Sequence, residues 1–600
     1  MSSVAGPSTS AAAADTLAIL PQLLDLLQSP LISNVPSSTL LGAISHFLSQ
    51  LESPHLEEFI STFLSSRFLW SYDSDEIRNA IRLSVPAKIA KINEDTKDVY
   101  FINSRRKRKA REWLNACLKL SAEKKKKIRE ATLQYHMGLL QGISDIQDID
   151  WGKGRNDLEE MIVLALAEQL DDLTSPDINS ICSVIPNIDS DMLQVLDLQK
   201  LTSHIETTLY GTLDSFNTQS QQNASNYSRA LARSIQVLRS GGPSSQEHAR
   251  AKMLEFSEEM QKRGEALEEK WESKPRSQLD VDGPMWNKHK LTFSAFLTVA
   301  SSVLDTILLE NASGPDQSPS ESDIILQLLV TLGSFSYLIE ASQGGFENYH
   351  KILYGSLDLI SARAGPEGVK TLLSRLTTAE DELNGARAGY ALVLAEELIN
   401  YLDRANIDRL LQLAERCIFQ PNHKSSFEAS HAFFLALLRI STDNLETDNS
   451  QSAFYDALLP NYLNILIRQY SQKHISPEQF RQAFPMIVES ASKRSSESLR
   501  LCLDRLSSLP PNKEMRQIRI TITPYINTPD LPQYLENLAQ IILETDKHSE
   551  ERTDLMKSAF EMVVRDLSDS NKHLGIKWWL KYRRDFEDDE REIGFVRSRL

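Results

Sequence analysis

A chain of 600 residues is too long for a single hydrophobic core, and with 41% hydrophobic and 24% charged side chains it is too apolar to stay unfolded. A formal net charge of −17 argues against nucleic acid as the main partner, because phosphate binding needs a broad basic face. Cys117, Cys182, Cys417 and Cys502 lie far apart without a C-x-x-C pair, which excludes a disulfide framework and fits a reducing or redox-indifferent compartment; 22 glycines and 23 prolines are few for this length and favour long helices.

Residues 1–14 are rich in Ser and Ala and have neither a basic-then-apolar signal pattern nor the arginines of a mitochondrial presequence, so a disordered tail is expected. Leu17, Leu20, Leu24 and Leu27 then recur at helical steps. Ser53-Pro54 is expected to open another helix, with Ser as cap and Pro in the first turn. Helical patterns follow over 77–85 (stopped by Pro86), 112–120, 128–140 and 158–170.

Asp214 to Ser228 is polar with no apolar period and is expected to be a break, as is Ser240-Gly241-Gly242-Pro243. A strongly charged helix is expected over 246–271, between further breaks at 273–286 and 311–322, and the main domain boundary is expected in this middle region. The apolar run 324–339 falls short of a bilayer span of roughly 20 residues and reads as a buried core helix.

The C-terminal half is more regular. Ala391, Leu394, Ala395, Leu398, Ile399 and Leu402 make one amphipathic stripe; Phe433, Phe434, Leu437 and Leu438 make another, and Tyr462, Leu463, Leu466 and Ile467 a third. Ser476-Pro477-Glu478-Gln479 has the form of a capping box. Stripes at Leu535–Ile542 and Met556–Val563 close the series. Successive helices joined by short polar segments predict an all-α fold, α-solenoid-like in the HEAT/armadillo manner, as one array or as two helical halves. The expected divisions are a tail over 1–14, an N-terminal helical region over 15–213, a polar and charged linker region with one helix over 214–290, a C-terminal helical repeat-like domain over 291–580 and an exposed charged tail over 581–600.

No phosphate-cradling, dinucleotide-binding, nucleophile-elbow or H-E-x-x-H motif is present. Trp151-Gly152-Lys153-Gly154 reads as a turn, and His136 and His431 read as ordinary helix residues. No catalytic, metal or cofactor-binding residue is expected, and no cofactor.

Two charged features remain. Arg105, Arg106, Lys107, Arg108 and Lys109 form a basic run that suits an anionic membrane surface or a partner, a nuclear localisation or nucleic-acid contact, or a solvated helix face; Trp113, Leu114, Cys117 and Leu118 supply an apolar stripe behind it. Ser598-Arg599-Leu600 is a close relative of the Ser-Lys-Leu peroxisomal address. A receptor can hold its free carboxylate, bury Leu600 and test the charge of Arg599 and the size of Ser598. Such an ending arises by chance in roughly one chain in several hundred.

Stacked helices over this length, Lys577-Trp578-Trp579-Leu580, and the Ser598-Arg599-Leu600 end resemble the fungal peroxin eight family, the intraperoxisomal import peroxins. The resemblance implies a soluble or peripheral protein at the inner face of the peroxisomal membrane. It implies a bridge between the receptor-docking and RING-finger subcomplexes of matrix protein import, binding to the import receptor for C-terminal signals, and a part in cargo release, with no active site. Two other readings stay open: a peroxisomal matrix enzyme of unrecognised type, and a nuclear or cytosolic helical-repeat scaffold with a chance terminus.

Overall fold

Apolar residues at steps of three and four fold locally into helices, and each helix must then bury its stripe on a neighbour. The computed structural model of the chain describes residues 9–96, 102–124, 129–170, 175–215, 220–273, 283–311, 319–342, 345–377, 385–440 and 449–586. Among these residues it contains 27 α-helices and no strand. The chain divides into two compact units, Met1–Ser356 and Leu357–Leu600.

In the first unit, Ser37–Gln50 packs on Ser74–Asp95, which packs on Arg129–Ser144; His55–Ser65 likewise packs on Ile102–Lys124, and that helix on Lys153–Gln169. Contact with the next helix but one builds two layers, the mark of stacked helix pairs. A close approach of backbone to backbone runs along one edge of Arg129–Ser144. A Cβ added at Gly138 would sit 2.8 Å from the Arg78 carbonyl oxygen, and one at Gly142 only 2.6 Å from that of Arg82. Pro86 lies four residues after Arg82 inside the same helix and has no N–H to give that carbonyl. The helix nevertheless runs on to Asp95, past the proline expected to stop it.

Other expectations need correction. The helix after Ser53 begins at His55 without a side-chain cap, and the Ser53 hydroxyl donates to Glu57 instead, at 3.1 Å. The stretch Asp214–Ser228, read as a break, is helical from Ser220: Ser220–Arg239 is one helix with a buried face. Its first half hides the stripe because the buried positions are Ser220, Ala224, Tyr227 and Ser228, small or polar residues that carry little apolar signal. The run 324–339 is split between Pro319–Gly333 and Ser336–Ser342, which bend by 50° at the break. Pro284–Leu309 is long and apolar enough to cross a membrane by length and composition, yet 67% of its most apolar stretch is buried. Trp286, Phe293 and Phe296 on that helix are fully enclosed, as in a core helix.

The second unit has a clear spine. Gly385–Glu397, Lys424–Ile440, Pro477–Arg494, Lys513–Thr521 and Glu550–Glu561 form one continuous row, each packed on the next. A second layer leans on it, with Asn449–Ser471 against Ser496–Ser507 and Leu531–Leu543 against Asp569–Phe586. The capping box at Ser476 forms as expected: its hydroxyl accepts from the Gln479 amide at 3.2 Å, and the Gln479 side chain accepts from the Ser476 amide at 2.9 Å. The stripe expected through Leu402 is shorter. The helix ends at Glu397, Ile399–Tyr401 makes a tighter turn, and Asp403 caps the next helix through the Asn406 amide at 2.8 Å.

Candidate interaction surfaces

After the helix Tyr349–Arg363, four α-helices follow in the second unit: Gly365–Thr377, Gly385–Glu397, Arg404–Ile418 and Lys424–Ile440. The closest pairing sets Gly385–Glu397 against Lys424–Ile440, and Gly389 makes it feasible. A Cβ there would lie 3.1 Å from the Ser426 amide nitrogen and 3.2 Å from its Cα. Small residues answer from the other side, since Ser426, Ala429 and Ser430 are buried and the Ser430 hydroxyl donates to the Ser426 carbonyl at 2.6 Å. Phe433, Phe434, Leu437 and Leu438 then seal the helix into the core, each worth about 2 kcal/mol of burial. Phe434 stacks on Tyr462 at 5.1 Å between ring centroids. His431 meets the Tyr462 hydroxyl at 3.0 Å, and burial pushes the imidazole down to about 4, so the ring is neutral near pH 7. His136 is also interior, at 2% exposure. Helix pairs stacked in this way present long outer faces suited to binding extended partners.

The basic run lies on Ile102–Lys124, and Trp113, Leu114, Cys117 and Leu118 behind it are buried as read. Much of its charge is engaged within the unit. The segment after Arg129–Ser144 offers three carboxylates: Asp145 pairs with Arg82 at 2.6 Å, Asp148 with Arg106 at 2.6 Å, and Asp150 with Arg111 at 2.5 Å. The Arg106 bond holds the Asp148 carboxyl below the usual carboxylate range. Lys109 lies 3.6 Å from Asp95, and Arg108 lies 3.5 Å from Glu112 one turn on. Arg105 and Lys107 face solvent. The Asp145, Asp148 and Asp150 spacing was available in the sequence as the counterpart of the basic run and was missed. Of the four residues expected as a turn, Gly152 turns with φ 59°, while Lys153 and Gly154 already belong to the helix Lys153–Gln169.

All four cysteines are free and buried, and burial pushes the Cys117 and Cys502 thiols up to about 12. Among the described residues, no group of His, Cys, Asp and Glu is placed to hold a metal ion. Ser598, Arg599 and Leu600 lie outside the described residues.

No curated protein matches the chain. The chain is similar to a homology model of the full-length AP-3 complex in an intermediate open conformation, at 11% identity and a TM-score of 0.29 over 94% of this chain and 93% of that one, a likeness too low to carry an argument. Residues 367–439, which span the four helices just described, match the family model of the PEX8 central TPR-like domain. The repeat type of that segment is thus TPR-like, within the helical solenoid that the sequence predicts. These helices are therefore similar to the central domain of the peroxin 8 family, a likeness that supports membership of that family and covers residues 367–439 of the 600.

Proposed function

We propose that the protein works as a helical adaptor in peroxisomal matrix protein import, at the inner face of the membrane. In this reading it bridges the docking and RING-finger subcomplexes, binds the import receptor for C-terminal signals and aids release of cargo from that receptor. The observation that carries the reading is the TPR-like match over 367–439, on a scaffold whose row of stacked helices offers long outer faces. Ser598, Arg599 and Leu600 are the proposed import address, and the exposed Arg105 and Lys107 are the proposed point of peripheral contact with membrane or partner. The protein acts by binding, not by catalysis, and needs no cofactor.

The deciding experiment is a null strain. Unrelated matrix proteins should accumulate in the cytosol, and the full-length chain should restore their import. If they still reach peroxisomes without this protein, the reading is wrong. The docking and RING-finger subcomplexes should also purify separately from the null strain. Deleting Leu600 should strand the protein in the cytosol, and forcing it into peroxisomes by another address separates loss of location from loss of work.

A further inference from the structure

The Lys577-Trp578-Trp579-Leu580 motif splits between two environments. Trp578 points inward, 4% exposed, with its ring 5.9 Å from Phe586. Its neighbours point the other way: Leu580 is 64% exposed and Ile576 48%. Beside them the Glu550–Glu561 helix runs into a π-helical turn, Met562–Asp566, that offers Phe560 and Val564 to solvent. The two walls are held together underneath. Gly575 fits so closely that a Cβ would meet Leu567 at 2.4 Å and Val563 at 3.3 Å. Val564 and Ile576, each one residue along from this contact, are both exposed. Trp579 lies between the walls, half-buried, with its ring 5.3 Å from that of Phe560.

Exposed large apolar side chains gathered on one face mark an interaction site, whereas single ones do not. A half-buried Trp flanked by aliphatic residues is the composition of an interface anchor. The charge is also local. Within a chain of net charge −17, the helix Asp569–Phe586 carries Lys572, Lys577, Lys581, Arg583 and Arg584 against Asp569 and Asp585. Lys581 turns to Glu536 at 2.8 Å, while Lys577 and Arg584 face solvent beside the apolar strip.

We propose that this strip, built on Phe560, Val564, Ile576, Trp579 and Leu580, is a docking site for an acidic amphipathic helix of a partner protein. Such a helix lays apolar anchors at i, i+3, i+4 and i+7 along the strip and sets carboxylates against Lys577 and Arg584. A helix is favoured over an anionic bilayer by the surrounding acids. Asp566, Asp569 and Asp585 are exposed. A flat anionic surface has to approach all of these charges, whereas a helix about 10 Å across approaches only the strip. The site is distinct from the 367–439 helices, and the proposal stands or falls apart from the import reading.

The test uses the full-length protein and a fluorescein-labelled synthetic helix of about 18 residues, with Leu at the four anchor spacings and Glu on the remaining faces. Anisotropy should report binding that weakens about tenfold or more with Leu580→Glu or Ile576→Glu, and also with Lys577→Glu together with Arg584→Glu. It should be unchanged with Leu83→Glu, an exposed leucine elsewhere. A peptide with Lys in place of Glu should bind worse. All substituted side chains are solvent-facing, so circular dichroism melts of the variants should overlay the parent. No binding, or binding insensitive to Leu580→Glu, overturns the proposal. So does retention of the protein on phosphatidylcholine vesicles containing roughly one-third phosphatidylserine that is lost with Leu580→Glu, because that outcome makes the strip a membrane contact.

Discussion

The Arg552 guanidinium donates to the main-chain carbonyl of Asp585 at 2.7 Å and, through its other terminal nitrogen, to that of Thr545 at 3.2 Å. Thr545 lies just past the end of Leu531–Leu543, and Asp585 lies in the last turn of Asp569–Phe586. One buried cation thus ties together two helix C-termini, where carbonyls lack helical donors and the helix dipole is negative.

Removing Arg552 should therefore free the last helix before it unfolds anything else. Arg552→Ala leaves two carbonyls short of a charged donor, at a cost of about 3 kcal/mol. Arg552→Lys keeps the charge but has no planar fork to reach both carbonyls and should recover only part of the loss. Hydrogen exchange is expected to accelerate over Asp569–Phe586 while the helices of the first unit keep their protection. Equal acceleration across both units would show that the residue supports the fold in general.

The close helix crossings give a paired prediction. At Gly142 an added methyl meets the Arg82 carbonyl and the Val85 side chain, at 2.6 and 2.5 Å, and backbone cannot step aside cheaply. Gly142→Ala should destabilise the first unit by about 1–3 kcal/mol. Gly211 lies in the helix Leu198–Asp214 with nothing within 4 Å of its would-be Cβ. There Gly211→Ala should stabilise by about 0.5–1 kcal/mol through helix propensity. Denaturant midpoints of the two variants moving in opposite directions is the expected result; a shared direction would mean that helix propensity outweighs the crossing.

These crossings also show where the sequence was legible. Stripes of Leu, Ile and Phe, such as Phe433 to Leu438, announce their helices because one-sided burial writes a period of 3.6 into the chain. Gly138, Gly142 and Gly389 write nothing of the kind. A glycine that admits a neighbouring backbone looks like any other glycine until the partner helix is in place, so the rows of helices were visible and their register was not. The same holds for surfaces. Lys577-Trp578-Trp579-Leu580 stood out as a motif, but only packing decides that Trp578 turns in and Leu580 turns out. The basic run was plain in the sequence; its partners Asp148 and Asp150 lie some forty residues on, a distance that only the fold closes.

Stability should respond to pH differently in the two units. His431 has a folded value near 4 against an ordinary 6.5, so between those values the unfolded chain takes up a proton that the folded one refuses. The second unit should lose stability as pH falls from 6.5 toward 4, by about 3 kcal/mol in all. His431→Gln should flatten that slope in exchange-monitored unfolding of the 424–440 helix. In the first unit, burial lowers the Lys88 ammonium from 10.5 to about 8, while its nitrogen donates to the Leu51 carbonyl at 3.3 Å. The unfolded chain again holds the proton longer, so stability should rise from pH 8 toward 10.5. Lys88→Met should remove that rise and stabilise the unit at neutral pH. A slope unchanged in either variant would assign the dependence to other groups.

The acidic segment at 145–150 makes the role of the basic run measurable. Asp148 and Asp150 hold Arg106 and Arg111 at bonding distance, leaving Arg105 and Lys107 to face solvent. Exposed ion pairs add little stability, so Asp148→Asn with Asp150→Asn should leave the thermal midpoint nearly unmoved. The same change releases two cations beside the two already exposed. If the run meets an anionic membrane, affinity for phosphatidylserine-containing vesicles should rise severalfold and fall again with added salt. Arg105→Glu with Lys107→Glu should abolish vesicle binding in either background. If neither pair of changes moves it, the run is a solvated helix face whose charge serves only to hold the 145–150 segment.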